Sequence, residues 1–195
     1  LTEGAATYGK LLRSEFAPKP VAASLTELGR ISSAPAYIVL LYLFSLDRRH
    51  LEDAKFLEQV VDLLARYFIR RNVTDKPPTR QIDQALIYVV ESCAARIKAG
   101  NKLEFDWFVG ELMRHARPAS LEEFKTALSG PIYDSNTWMA RYVLIQIDQL
   151  HHSKEYRPDF WVRDDKGRFV WTVEHVLPQA EKLPVHWVKM IAGGD

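Results

Sequence analysis

The feature that most constrains this chain is the apolar stripe that begins after Leu51. Phe56, Leu57, Val60, Val61, Leu64, Tyr67 and Phe68 recur at about 3.6-residue spacing, so they share one face of a helix. Pro77-Pro78 breaks the chain, and Thr79 can cap a second helix carrying Ile82, Leu86, Val89, Cys93 and Ile97 on one face. Gly100-Asn101 closes that helix, with Arg96 and Lys98 in its last turn, where cations favour the dipole. Two long amphipathic helices must bury their stripes against each other or against more helices. The fold class expected is therefore mainly α, a bundle-like body of about six or seven helices.

Other segments agree. Tyr8 to Leu12 looks helical, and Ser24-Leu25-Thr26-Glu27 and Ser120-Leu121-Glu122-Glu123 both match the capping box. Phe105, Phe108 and Leu112 predict a short helix closed by Pro118. From Thr137 to Leu150, Trp138, Met139, Tyr142, Val143, Ile145, Ile147 and Leu150 make a wide stripe, predicting a helix buried on most sides. Val185 to Ile191 predicts a last short helix. The expected core includes Phe56, Val60, Leu64, Leu86, Val89, Phe108, Tyr142 and Val143.

At Asp159 the period changes. Phe160-Trp161-Val162 and Phe169-Val170-Trp171-Thr172-Val173 are aromatic and β-branched, and Asp164-Asp165-Lys166-Gly167 between them is a polar turn. A small C-terminal β-hairpin is expected there.

Composition narrows the function classes. Lys and Arg number 26 against 25 Asp and Glu, so net charge gives no electrostatic case for nucleic acid, though local patches are compatible with it. The run Ile31 to Leu46 falls short of the roughly 20 residues a membrane helix needs, and it contains Ser32, Ser33 and Pro35. No membrane partner is expected. The single cysteine, Cys93, cannot form an internal disulfide, and no signal peptide opens the chain, so a cytoplasmic location is expected. The chain begins at Leu1 and stops at Gly193-Gly194-Asp195, and we read it as an internal piece of a larger protein.

The most informative string is Thr172-Val173-Glu174-His175-Val176-Leu177-Pro178-Gln179. An imidazole can take a proton from water near neutral pH, and an adjacent carboxylate can hold a hard divalent cation. Together they could serve a metal-assisted hydrolase. The same dipeptide also fits a surface Glu beside a His packed at a strand end. In an unbroken strand the two side chains point to opposite faces, so both reach one cation only if the backbone turns near Val176-Leu177-Pro178.

Other candidates are weaker. His151-His152 ends a helix, where imidazolium favours the dipole. Cys93 has no partner at zinc spacing and reads as buried packing. Arg66, Arg70, Arg71, Lys76 and Arg80 gather at one helix junction, as a solvated face or as phosphate contacts. Trp107, Trp138, Trp161, Trp171 and Trp187 fall mostly at core-like positions. There is no Walker loop, no Rossmann glycine pattern and no Gly-x-Ser-x-Gly elbow.

The string from Thr172 to Gln179, followed by Trp187, resembles the motif of the C-terminal domain of GmrSD-type modification-dependent (type IV) restriction endonucleases. The segment Arg141 to Asp148 resembles the family's stretch just before it, and Phe68-Ile69-Arg70-Arg71-Asn72 does so more weakly. The resemblance covers about Asp134–Trp187 and implies a helical middle region over 1–133 and part of an HNH-like (His-Me finger) nuclease domain over 134–195. It implies His175 as general base and Glu174 as an orienting group or ligand of a magnesium or manganese ion. Modified double-stranded DNA would be the substrate of the parent, and a nucleotide-hydrolysing domain of the same or a partner chain would be the companion. The family's following Gly-Asn-Leu strand and its Asn- and Lys-bearing helix are not in this sequence, so the fragment alone is expected to be inactive. The alternative reading is a helical interaction or regulatory module without catalysis of its own.

Overall fold

A computed structural model describes residues 3–16, 19–151, 158–173 and 182–193. Ten α-helices are described: α1 (Glu3–Leu12), α2 (Lys19–Arg30), α3 (Ala36–Ser45), α4 (Phe56–Thr74), α5 (Thr79–Lys98), α6 (Phe105–His115), α7 (Leu121–Leu128), α8 (Ile132–Ser135), α9 (Thr137–His151) and α10 (Val185–Ile191). A 3-10 turn, Arg48–His50, follows α3. Among the described residues, no helix is long and apolar enough to cross a membrane.

The chain divides into two compact units, Leu1–Leu144 and Ile145–Asp195. In the first, α2 lies along α4, α3 packs on α1, α4 and α5, α5 packs on α6, and α7 rests on α4. The centre is apolar. Phe56, Val60, Leu64, Leu86, Val89 and Phe108 are fully buried and Tyr142 nearly so, as the helical stripes predict. Phe56 and Phe108 meet edge to face with ring centroids 6.1 Å apart, the geometry that aromatic quadrupoles favour.

Polar bonds fix how the helices enter and leave this core. The Asp53 carboxylate accepts from the Lys55 and Phe56 amides at 2.7 and 3.0 Å and so starts α4. Glu52 accepts from the Phe105 amide at 3.0 Å and starts α6. The two loops are tied by a parallel bridge between Leu51 and Leu103. The first turns of α9 are held by the Trp138 indole N–H donating to the Arg30 carbonyl and the Tyr142 hydroxyl donating to Glu27 at 2.9 Å.

Several expectations are corrected. The C-terminal β-hairpin does not form, and no strand is present among the described residues. At 158–173 the pairing is one antiparallel bridge, Arg163 to Phe169, with the Val170 amide donating to the Val162 carbonyl at 3.0 Å. The Asp164 carboxylate draws the Lys166 and Arg168 amides to itself at 3.0 and 2.9 Å, so the segment closes as a tight turn, with Gly167 at a positive φ of 75°. A two-stranded ribbon without a third strand is marginal at best, so β propensity alone does not extend it. The α+β class with a partial His-Me finger is thus replaced by an all-helical description.

Three smaller corrections concern helices. Ser24 lies inside α2 rather than at its start, because Pro20 sits in the helix's first turn, where a missing N–H costs nothing. Thr79 is the first residue of α5 and supplies no side-chain cap. Along α9, Val143 is only half-buried and Leu144, Ile147 and Leu150 are exposed, so that helix is not covered on most sides. The Ser120–Glu123 capping box forms as read, both reciprocal bonds present.

Candidate functional site

Glu174 and His175 lie outside the described residues, as does His152. His151 is exposed at the end of α9. Cys93 is buried on α5, and burial, followed by the nearby Glu111 charge, pushes its thiol up to about 12, which keeps it protonated and inert.

The basic junction separates by role. Arg71 is a structural clamp: its guanidinium donates to the Pro77 carbonyl (3.0 Å), Asn72 (3.0 Å), Asp75 (2.8 Å) and the Thr79 hydroxyl (2.7 Å). Arg66 pairs with Asp62 one turn away at 2.8 Å, and Arg80 is exposed. Arg70 and Lys76 instead line an open cavity of about 480 Å³ together with Arg117, which the sequence reading passed over because it stands 47 residues beyond Arg70.

None of the five tryptophans enters the buried core, against the expectation. Trp107 is half-buried beneath the Arg96 guanidinium, 4.7 Å from its ring centre, and Trp171 is 42% exposed. Around the Asp164 turn, Phe160 meets Trp171 and Trp161 meets Phe169 edge to face, and the Arg163 guanidinium lies 3.9 Å from the Phe169 ring centre.

A second polar constellation joins α5 to α6, and sequence reading missed it. Ser92 Oγ lies 3.4 Å from His115 Nε2, which is also 3.5 Å from Glu111 Oε2. Arg114 donates to Ser92 at 3.3 Å and pairs with Glu111. The i, i+3 and i+4 spacing of Glu111, Arg114 and His115 was legible, whereas Ser92 arrives from another helix.

The residue types invite comparison with a nucleophile, base and acid, but the geometry does not make one. In such a triad the acid orients the imidazole through the nitrogen opposite the nucleophile. Here serine and carboxylate meet the same nitrogen, and Arg114 neutralises the carboxylate. Burial would raise the Glu111 carboxyl, yet hydrogen bonds from Ser92 and Arg114 and the charges of Arg114 and His115 outweigh it and hold it below the usual range. The cluster pins α6 to α5.

A second cavity, of about 410 Å³, lies beside Arg48, Leu51, Glu52, Asp53, Leu57 and Lys102. Glu52 and Asp53 there already accept backbone amides, as described above. No group of three or more His, Cys, Asp or Glu side chains converges anywhere among the described residues. The described residues therefore do not fit a metal centre.

Compared with known proteins, the chain is 30% identical over 116 residues to an AA9 family lytic polysaccharide monooxygenase D of Aspergillus tamarii, covering 58% of this chain and 41% of that protein. It is 28% identical over 117 residues to an AA9 family lytic polysaccharide monooxygenase A of Aspergillus fumigatus, covering 59% of this chain and 39% of that protein. The chain thus spans about two fifths of the length of these curated relatives. No family model matches it, and no solved structure matches it.

These findings overturn the endonuclease reading. The relatives are named as polysaccharide monooxygenases, and none of the matches is a restriction endonuclease. Modified DNA as substrate, a nucleotide-hydrolysing companion domain and phage restriction lose their support with it, and magnesium or manganese has none. The similarity is to enzymes, and that coarser statement stands.

Proposed function

We propose that this chain is part of an enzyme that oxidises polysaccharide, and that its described helical body serves as scaffold rather than as the redox centre. The observation that carries the reading is the similarity to the two monooxygenases over more than half of the chain. A monooxygenase inserts one atom of dioxygen into its substrate, and ground-state dioxygen requires a redox-active centre to react with a closed-shell C–H bond. Among the described residues no group of three or more His, Cys, Asp or Glu side chains converges. In this reading His175, expected from the sequence as a general base, would instead join Glu174 in holding a metal, since imidazole suits redox-active first-row metals.

The test is to incubate the intact parent protein with cellulose, xylan and chitin, dioxygen and ascorbate, and to follow soluble oligosaccharides by mass spectrometry. Products heavier by one oxygen atom are expected, and they should vanish in the His175→Ala parent. Absence of oxidised products from all of these polysaccharides counts against the reading. Unchanged products from His175→Ala remove that residue from the chemistry while leaving the enzyme class in place.

A further inference from the structure

The cavity at the end of α4 carries more positive charge than the fold requires. Arg70, from the last turns of α4, Lys76, from the loop after it, and Arg117, from the loop before α7, line the same space of about 480 Å³. Against these three cations stands one lining carboxylate, Glu123. Glu123 is committed: Lys76 donates to it at 2.5 Å and the Ser120 amide at 2.7 Å. Those partners, Lys76 first, hold its carboxyl at about 2, so it is ionised at neutral pH and offsets Lys76 alone.

Arg70 and Arg117 have no carboxylate partner among the described residues. Arg70 is not loose, for its guanidinium carbon lies 5.8 Å from the centre of the Phe124 ring, within cation–π range, while the residue also lines the cavity. The contrast with Arg71 is instructive. The neighbouring arginine spends its donors on the loop, whereas Arg70 spends none on a carboxylate. Met113, Pro118 and Ala119 form apolar wall, which lowers local screening and strengthens a charged hydrogen bond.

We propose that this cavity binds the oxyanion group, carboxylate or phosphate, of a small polar organic ligand through Arg70 and Arg117, with Lys76 adding charge. Guanidinium edges match both oxyanions in bidentate fashion. The volume exceeds what a bare phosphate fills and suits a ligand of about monosaccharide size or somewhat larger. The site does not depend on the polysaccharide reading: a protein that binds such ligands and oxidises nothing leaves it standing.

The experiment is an amide-shift titration of the ¹⁵N-labelled full chain at low ionic strength with glucuronate, with inorganic phosphate and with neutral glucose. Saturating shifts confined to the amides around Arg117 and Ser120 to Phe124 are expected with one or both anions, and none with glucose. The glucuronate and phosphate arms tell a carboxylate site from a phosphate site. Arg117→Gln and Arg70→Gln should each weaken binding roughly tenfold, the loss of one charge-assisted pair, while Arg66→Gln, one turn away on α4, should not. Spectra elsewhere report whether each variant is folded, and if Arg70→Gln is not, Arg117→Gln decides alone. Non-saturating shifts for both anions overturn the proposal, as does an equal loss in Arg66→Gln.

Discussion

In the unit Leu1–Leu144, Phe56, Phe68 and Phe108 are wholly buried, whereas in Ile145–Asp195 Val185 and Met190 are 72% and 62% exposed. Ile145 is the one buried apolar residue of the second unit among those described. The residue types are similar and the outcome is not. In the first unit, successive amphipathic helices face one another, so each stripe finds another stripe. In the second, α10 is a helix of seven residues and the Asp164 turn is closed by one bridge, and neither offers an apolar surface wide enough to form a core. Periodicity earns stability only where a partner face exists.

That contrast can be broken most directly at Phe108. Phe108→Ala removes a buried ring from the contact with Phe56 and should cost about 3–5 kcal/mol in urea unfolding. A loss below about 1 kcal/mol would erase the difference between the units. A smaller loss, about 1 kcal/mol, is expected for Ser120→Ala, which removes the hydroxyl that accepts the Glu123 amide at 3.2 Å. Glu123 adds a pH signature. Its carboxyl is lowered from 4.5 to about 2 in the folded chain, so its contribution is present above about 4.5 and is lost as pH falls toward 2. The Glu123→Gln chain should therefore show a shallower fall in melting temperature across that window, and an unchanged slope would count against the Lys76 pairing.

The opposite sign is expected at Tyr67. Its hydroxyl is buried and has no hydrogen-bond partner among the described residues, and burial raises its pKa. A buried polar group left unpaired costs about 1–3 kcal/mol, so Tyr67→Phe should leave stability unchanged or raise it by about 1 kcal/mol. A clear loss in denaturant titration would reveal a hydroxyl partner and show that the first unit's core is less purely apolar than Phe56 and Phe108 suggest.

What was legible in the sequence was local. The faces of α4 and α5, the Ser120 capping box and the bounds of α10 each depend on residues within a few positions of one another. What was illegible depended on distance along the chain or on a missing partner. Ser92 meets His115 across 23 residues, and Arg117 joins Arg70 only because α7 folds back on α4. The hairpin did not extend for want of a partner: the Asp164 carboxylate closes the turn on the Lys166 and Arg168 amides, but beyond the Arg163–Phe169 bridge a two-stranded ribbon is marginal however strand-favouring its residues are. The motif resemblance rested mainly on Thr172 to Gln179, of which the residues from Glu174 onward lie outside the described residues, with Trp187, Arg141 to Asp148 and Phe68 to Asn72 as lesser support.

The smallest effect is expected at Met190, and it sharpens the comparison because the residue type is a core one. The side chain is 62% exposed on α10, so most of its surface is already in water before unfolding. Truncation therefore forfeits little burial and opens no cavity, the two terms that make core substitutions costly. Methionine and alanine are both good helix formers, so the backbone of Val185–Ile191 should not respond. Met190→Ala should leave the urea midpoint within about 0.5 kcal/mol of the parent chain. A loss of about 2 kcal/mol or more would mean that Met190 is covered in solution by an apolar surface, and the difference between the two units would then be one of partner rather than of packing.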